Sequence, residues 1–220
     1  MLLSMSSFPG SPRTLRGAVV AVDASSPLSR LAVFQYNPDQ VVRTLRPRGA
    51  PASHSATAAD PHALWGAPVE TFSLTIDIDA TDQLEHGDPV ASLTGIAPQL
   101  ATLEMLLYPG VATVIENAAL LSAGAIEILP MESPLTLLVW GPGRAVPVRI
   151  ESLTITEQAF SPALFPTRAS VELSAQVLTY NDLPAGDPGY ALFLVHHVLK
   201  ETMAVVAGVS GAAAAVSAGL

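Results

Sequence analysis

The chain has 220 residues, of which half are hydrophobic and only 13% are charged. Soluble monomers usually carry about a quarter charged residues, so this composition favours a protein whose surface is partly covered by partner subunits. A bias towards Ala, Gly, Pro and Val would give the same composition. The net charge of -9 excludes a nucleic-acid binder, which needs a basic face. The absence of cysteine excludes disulfides, thiolate metal sites and cysteine catalysis, and it fits a cytoplasmic protein.

The few basic residues are concentrated near the start of the chain. Six of the ten precede residue 50: Arg13, Arg16, Arg30, Arg43, Arg46 and Arg48. A basic edge and an acidic remainder would suit head-to-tail contacts between copies of the chain. For Arg43 to Arg48, a solvated arginine-rich loop is the alternative.

The first half of the chain predicts four strands. Gly17 to Ala24 and Leu31 to Tyr36 flank a Ser-Ser-Pro turn and are expected to pair as a hairpin, which Asn37-Pro38 ends. Val41 to Leu45 resumes the extended pattern. Thr71 to Asp79 is the clearest strand, because apolar and polar residues alternate along it.

The segments between the strands are predicted as loops and one helix. Residues 46–65 are rich in Pro, Gly, Ala and Ser and indicate a long loop. After a polar loop, Ile96 to Leu107 has helical spacing, and Thr94 is a candidate cap. Residues 111–130 are apolar without a clear period, so helix and strand remain open there.

The second half predicts further antiparallel strands. Leu135 to Trp140 indicates a buried strand that ends at a Gly-Pro-Gly turn. Val146, Val148 and Ile150 share one apolar phase, which then slips by one residue to Leu153 and Ile155 and predicts a β-bulge near Glu151 and Ser152. The last alternating strand starts near Val171. Six or seven strands, one central helix and a terminal helix predict a mainly β (α+β) fold with a curved antiparallel sandwich or barrel.

The two ends of the chain are predicted to lie outside this domain. Residues 1–16 are an N-terminal extension that lacks a signal-peptide pattern. Residues 183–220 are a linker and a C-terminal helical tail, whereas the domain itself covers 17–182. The charge-free end from Met203 to Leu220 consists of weakly hydrophobic residues and indicates a packing helix or tail, so membrane contact is not expected.

No arrangement of residues in the sequence indicates catalysis or metal binding. Three of the five histidines fall in predicted loops, and His196 and His197 are adjacent, so they point about 100° apart on a helix. Asp77, Asp79 and Asp82 lack the glycine and distal glutamate of a calcium loop. Glu70 with Glu172, or Glu151 with Glu157, are carboxylate pairs of unknown separation. We therefore expect no catalytic residues, no metal and no cofactor.

Three short motifs in a fixed order carry a resemblance to a known family. They are Phe34-Gln35-Tyr36-Asn37-Pro38, a run from Leu137 that closes on Trp140-Gly141, and a segment from Phe160 that contains Phe165, Pro166, Arg168 and Ala169. With the alternating strand from Leu74 to Thr81, they resemble the tail-tube-like baseplate or hub adaptors of phage-tail-like contractile injection systems. Leu164-Phe165 stands where the family usually has a glycine, and no LysM module follows residue 182.

The resemblance implies a structural function. Family members form a six-fold ring around a channel, and this ring joins the spike or hub to the inner tube. The resemblance implies that this chain forms a homohexamer. Its partners would be the spike or hub, the inner tube and other baseplate proteins. It would be located in the cytoplasm, as part of an assembled particle that the cell can release. The motif residues Phe34, Asn37, Pro38, Trp140, Gly141, Phe165, Pro166 and Arg168 would shape the fold or a subunit interface. The alternative is a β-barrel module that binds a ligand or carbohydrate without catalysis.

Overall fold

A computed structural model describes residues 15–22, 30–49, 64–124 and 134–217. Within them, the chain forms one seven-stranded antiparallel sheet with several helices, which confirms the mainly β (α+β) class. The strands are β1 (Ala18–Val22), β2 (Arg30–Val33), β3 (Val41–Arg46), β4 (Val69–Asp79), β5 (Leu135–Val139), β6 (Ala145–Phe160) and β7 (Pro166–Val177). Their order across the sheet is β2-β1-β5-β6-β7-β4-β3.

Each predicted strand is present, and the register confirms two finer predictions. β1 and β2 pair antiparallel as the expected hairpin, with Ala18 opposite Val33. In β6, the register against β7 shifts between Ile150 and Ser152, where the apolar phase slips in the sequence. The extra residue lets the strand bend while apolar side chains stay on the covered face.

The helical content differs from the prediction of one central helix, which is wrong. Four helices lie in the described residues between β4 and β5, and a fifth follows the sheet. They are α1 (Thr81–Glu85), α2 (Pro89–Thr94), α3 (Ala97–Glu104), α4 (Val111–Ser122) and α5 (Pro188–Ser217). The open segment 111–130 is helical through Ser122, and its residues 125–130 lie outside the described part.

Thr94 is not the cap of the predicted helix. It is the last residue of α2, and Gly95 follows with a φ of 57° that ends the helix. The Asp88 side chain caps α2 instead, because its Oδ1 accepts hydrogen bonds from the backbone N–H groups of Val90 and Ala91. The prediction of a polar loop before α3 is wrong, because this segment forms the two short helices α1 and α2.

The sheet is curved strongly enough to bring its ends together. The side chain of Gln35, just after β2, donates to the carbonyl of Asp79 at 2.7 Å and accepts from its N–H at 3.0 Å. β2 is a terminal strand, and Asp79 ends β4, which is next to the other terminal strand. We call the place where the end of β2 approaches the end of β4 the seam. The side-chain amide of Gln35 makes the two hydrogen bonds there that a paired backbone residue would make.

One face of the sheet is buried and the other is polar. The side chains of Phe72, Leu74, Ile76 and Ile78 alternate into the core along β4, and alternate residues of β7 join them. α3 contributes Leu100 and Leu103 to this core, and α5 contributes Phe193. The pattern follows from period-2 alternation in an antiparallel sheet that is covered on one side.

Candidate functional site

Two of the sequence motifs meet at the start of β1. Phe34 is buried, and its ring centroid lies 6.2 Å from that of Trp140. A Cβ atom on Gly17 would lie 2.7 Å from the Phe34 ring and 2.8 Å from the Trp140 ring, so only glycine fits between the strand and these rings. The N–H of Phe34 donates to the Gly17 carbonyl at 2.9 Å. The motifs around Phe34 and Trp140 therefore anchor one corner of the sheet.

Asn37 continues the hairpin ladder beyond β2 with its side chain. Its Oδ1 accepts from the N–H of Gly17 at 2.9 Å, and its Nδ2 donates to the carbonyl of Leu15 at 2.7 Å. Pro38 follows and cannot donate to a ladder, so the chain turns away here. The Asn-Pro element is thus a strand terminator that also fixes the chain before β1.

Gly141 shapes the turn between β5 and β6. It has a φ of 80° and Gly143 has a φ of 72°, a region that side chains rarely adopt. The N–H of Trp140 donates to the carbonyl of Arg144 at 2.8 Å and closes the turn. Gly141 therefore has a conformational role.

The third motif joins the start of β7 to the helices. The carbonyl of Pro166 accepts from the N–H of Ile96 at 2.8 Å, and that of Thr167 accepts from Ala80 at 2.9 Å. A Cβ on Gly95 would come within 2.0 Å of the Pro166 oxygen. Pro166 thus holds the junction between α2 and α3 against the sheet.

Arg168 and Asp79 form an ion pair next to this junction. Nε of Arg168 lies 3.3 Å from Oδ2 of Asp79. The Thr81 hydroxyl donates to Asp79, and this bond does most to hold the pKa of the Asp79 carboxyl below its ordinary 3.8; Arg168 adds a smaller effect. The backbone of Asp79 binds the side chain of Gln35 in the first motif, and its carboxylate binds Arg168 in the third motif. Asp79 therefore connects the two motifs.

Phe165 lies at the exposed tip of the β6–β7 hairpin. The N–H of Ser161 donates to its carbonyl at 2.8 Å, which closes the tip. Leu164 adopts a φ of 63° and is 79% exposed. Its backbone is thus in the left-handed region, which glycine adopts more readily than leucine.

The polar face of the sheet is an extended surface of hydroxyl and carboxyl groups. Its cross-strand rows place Ser174 between Ser73 and Ser152, and Glu172 between Thr75 and Thr154. These side chains line a shallow depression of about 280 Å³. We call this surface the polar sheet face.

A second depression, of about 370 Å³, lies where the sheet ends approach each other. Tyr36, Asn37 and Asp39 form one side, and Asp77 with the Asp79–Arg168 pair forms the other. We call it the outer seam cleft. It brings together Asn37, Pro38 and Arg168, three of the eight predicted motif residues.

Glu70 lies on the buried side of the sheet and was missed as a site residue. Its side chain is 2% exposed, accepts from Nε of Arg43 at 2.7 Å and from Nζ of Lys200 at 2.8 Å. Burial raises the pKa of Glu70, but the hydrogen bonds and charges of Lys200 and Arg43 outweigh it and leave the pKa below its ordinary 4.5. The guanidinium of Arg43 also lies 5.3 Å from the Phe72 ring centroid. We call Arg43, Glu70 and Lys200 the ion triad.

The triad joins three elements, β3, β4 and α5. The sequence signal was that Glu70 falls on the apolar phase of the β4 alternation. A charged residue on that phase requires a partner when it is buried. Lys200 lies four residues after His196 and seven after Phe193, so all three share the face of α5 that packs on the sheet.

His196 is buried beside the triad. Neither ring nitrogen forms a hydrogen bond, although the Gly143 carbonyl lies near enough to favour the protonated ring. Burial does most to hold its pKa below the ordinary 6.5, the charge of Lys200 adds to this, and Glu70 opposes it. The ring of His197 stacks on Tyr180, with centroids 6.1 Å apart.

Two of the arginines near the start of the chain, Arg43 and Arg48, are paired within it. Arg43 belongs to the triad, and Nη2 of Arg48 lies 2.8 Å from Oδ2 of Asp182. Burial raises the pKa of the Asp182 carboxyl. The hydrogen bonds that Thr179 and Arg48 donate to it outweigh this effect and leave the pKa below its ordinary 3.8. The alternative of a solvated loop is therefore wrong for Arg43 and Arg48.

The predicted carboxylate pairs are not brought together for acid–base work. Glu70 lies on the buried face of β4, whereas Glu172 lies on the polar face of β7. Glu151 and Glu157 are exposed on β6. Among the described residues, no group of three or more His, Asp or Glu side chains is close enough to hold a metal ion.

Two helices expose apolar surface. No side chain of α4 is buried, and its exposed residues include Val111, Ile115 and Leu121. In α5, every residue from 201 to 210 is exposed, including Val205 and Val209. We call these two segments the apolar helix surfaces. Pro188–Ser210 is also long and apolar enough to cross a membrane, with a mean hydropathy of 1.4, although its first half packs on the sheet.

The arrangement defines a mainly β protein with a polar sheet face, exposed apolar helices and a buried carboxylate, Glu70, that is paired within the chain. No protein-family model matches the chain, and a comparison with curated protein sequences found no match.

Proposed function

We propose that this chain is a structural subunit that assembles into a six-fold ring, the adaptor that joins the spike or hub to the inner tube at the baseplate of a contractile injection system. The observation that carries the proposal is the exposed apolar surface of α4 and of residues 201–210. Contiguous apolar surface is unfavourable in water and marks a contact with other molecules. A ring subunit would cover it against neighbouring copies.

The polar sheet face supports the second part of the proposal. In the rows centred on Ser174 and Glu172, Ser174 is half-buried and the other side chains are exposed, and no described element covers them. A wall of hydroxyl and carboxyl groups suits an aqueous channel through which payload passes. The exposed strand β3 at the end of the sheet offers a free edge for contact between subunits.

The proposal includes neither catalysis nor a cofactor. The buried carboxylate of Glu70 is paired with the partly exposed cations of Arg43 and Lys200, an arrangement that fixes α5 on the sheet. We propose a cytoplasmic location within the assembled particle, with the spike or hub, the inner tube and other baseplate proteins as partners. Release of the particle would follow assembly.

The oligomeric state of the purified chain tests this proposal. We expect six copies by light scattering and rings with a central channel by electron microscopy. Val205→Glu with Val209→Glu should give monomers, because charges would be placed in the interface. Leu64→Glu is the matched control, since Leu64 is exposed but lies outside the helix surfaces. A wild-type chain that stays monomeric with its fold intact would refute the ring.

A second candidate function is carbohydrate binding without catalysis. The outer seam cleft favours it, because the half-exposed ring of Tyr36 lies beside Asn37, Asp39 and Asp77. A sugar can place its apolar face on an aromatic ring and its hydroxyls on such polar groups. A glycan array tests this: binding should be lost in Tyr36→Ala and kept in Phe160→Ala, which removes an exposed ring elsewhere. Absence of any glycan signal would reject this candidate.

A further inference from the structure

His196 on α5 is a buried histidine whose ring has no hydrogen-bond partner among the described residues. The residue is 7% exposed, and both ring nitrogens, Nδ1 and Nε2, are inaccessible to solvent. Burial of an unpaired polar group costs free energy, and burial of a charged group costs much more than burial of a neutral one. The docked position of α5 therefore favours the neutral form of this ring.

The groups around His196 do not offset a positive charge on its ring. Lys200 of α5 and Arg43 of β3 repel such a charge, whereas Glu70 of β4 and the Gly143 carbonyl in the β5–β6 turn attract it. Glu70 already accepts hydrogen bonds from both cations. Burial has the largest effect, and together these contributions hold the pKa of His196 below its ordinary 6.5.

α5 can leave the sheet without taking most of the core with it. Within the described part of the chain, Phe193 is the one side chain of α5 in the fully buried apolar core, whose other members lie on the strands, on α3 and in the segments between them. Residues 184–187 connect α5 to the rest of the chain, and 184–186 are exposed. An element with few buried apolar contacts can open locally while the remainder stays folded.

We propose that α5 is a latch that acid opens: protonation of His196 shifts the helix from its docked position to a released one, while the seven-stranded sheet stays folded. Because both ring nitrogens are inaccessible in the docked position, uptake of a proton requires the helix to open. The proton then opposes redocking, since a charged ring would have to be buried beside Lys200 and Arg43.

The latch would control where the chain presents apolar surface. The released helix carries the exposed residues 201–210 with it, so their position relative to the sheet would change with pH. Histidine suits such a switch because its ordinary pKa lies near physiological pH. The latch acts within one chain and does not require the proposed ring.

Amide hydrogen exchange of the intact protein tests the proposal. Protection would be compared at about pH 7.5 and about pH 5, after correction for the intrinsic pH dependence of exchange. Each pH unit below the ordinary 6.5 favours the released state by at most about ten-fold, so the amides of residues 188–200 should lose protection by up to about 30-fold. The amides of β4 and β7 should keep theirs.

The two adjacent histidines provide a matched pair of variants. His196→Phe keeps an aromatic ring that cannot be protonated, so the acid-dependent loss of protection should disappear. His197→Phe should retain the loss, because His197 is partly exposed and stacks on Tyr180. If His196→Phe does not fold by circular dichroism, His196→Gln takes its place, since glutamine does not titrate either.

One further variant separates the latch from ring formation. Val205→Glu with Val209→Glu changes exposed positions beyond the docked part of α5 and is designed to prevent subunit contact. It should show the same loss of protection in residues 188–200 as the wild type. A loss confined to the wild type would assign the effect to dissociation of subunits and would contradict the latch.

Three other results would overturn the proposal. The first is unchanged protection of α5 at about pH 5. The second is an equal loss of protection in α5, β4 and β7, which would mean that the whole domain opens. The third is a loss that persists without His196, or that His197→Phe also removes, because another group would then be the sensor.

Discussion

At the scale of single residues, Leu164 is in a conformation that its side chain disfavours. Its φ of 63° lies in the left-handed region, which costs a non-glycine residue about 1–2 kcal/mol. The cost is met by the hydrogen bonds of the hairpin tip, including the Leu164 N–H to the Ser161 carbonyl at 2.9 Å. Since the side chain is mostly exposed, packing returns little of this free energy.

Leu164→Gly is therefore expected to stabilise the protein. Relief of the backbone strain exceeds the greater entropy of glycine in the unfolded chain, which gives a net gain of about 0.5 kcal/mol. Urea unfolding monitored by circular dichroism measures it. Leu164→Ala is the control, because it removes the exposed side chain but keeps the Cβ, and it should give no gain. An equal gain in both variants would assign the effect to the apolar side chain.

Gly17 is the residue on which the corner of Phe34 and Trp140 depends. A methyl group there would lie within 3 Å of both rings, so the rings or the strand must move. We expect Gly17→Ala to lower the free energy of unfolding by about 1–3 kcal/mol. Gly49→Ala, with no atom within 4 Å of the added methyl, should leave it nearly unchanged. A Gly17→Ala protein as stable as the wild type would show that this corner is not tightly packed.

At the scale of elements, α5 is held on the sheet by groups that respond to acid. Glu70 bridges Arg43 of β3 and Lys200 of α5, and His196 packs next to them without a hydrogen bond. The folded state binds a proton less readily than the unfolded state at both Glu70 and His196, because both pKa values are lowered. Acid therefore favours release of α5.

The stability of the protein should fall in two steps as the pH decreases. Below pH 6.5 the unfolded chain takes up a proton at His196 that the folded chain refuses, so the free energy of unfolding decreases. Below pH 4.5 the same argument applies to Glu70, whose stabilising contribution is complete above that pH and is lost as pH falls through its folded pKa. Urea unfolding at a series of pH values measures both steps.

Two variants separate the steps. His196→Phe keeps an aromatic ring and should remove the slope that begins below pH 6.5. Glu70→Gln should lower stability at neutral pH, because it removes the partner of two cations, and should reduce the slope below pH 4.5, to which Asp79 and Asp182 also contribute. An unchanged upper slope in His196→Phe would assign that step to other groups.

The strands could be predicted from the sequence, whereas most helices could not. Alternation in Thr71 to Asp79 defines both faces of β4, and the phase slip at Glu151 locates the bulge, because side-chain direction in a strand follows directly from position. α1, α2 and α4 lack a one-sided apolar pattern. α4 buries no side chain, so burial imposes no helical period on its sequence.

The candidate site was predictable only in part, for a similar reason. Asn37 and Pro166 were recognised as residues that shape strand ends, and the structure gives them local bonding roles. Their partners, such as Gly17 and Gly95, are distant in sequence, and no local pattern predicts the contact. The ion triad joins residues 43, 70 and 200, so only the position of Glu70 on an apolar phase could have indicated it.

At the scale of the whole molecule, the two halves of α5 have different roles. The first half contributes Phe193 to the core and Lys200 to the triad, whereas residues 201–210 are exposed on every side. Residues 203–209 carry no charged or hydroxyl side chain, and exposed apolar surface of this kind favours contact with other molecules. We therefore expect the second half to be dispensable for the fold and required for the proposed assembly.

Two deletions test this division. Removal of residues 202–220 should change the free energy of unfolding by less than about 0.5 kcal/mol, since the side chains described there are exposed, and should abolish rings. Removal of 186–220 also takes away Phe193 and Lys200, which opens the core and leaves Glu70 with Arg43 alone. We expect that loss to exceed about 3 kcal/mol. If the shorter deletion still forms rings by electron microscopy, α4 or β3 must supply the subunit contact in place of α5.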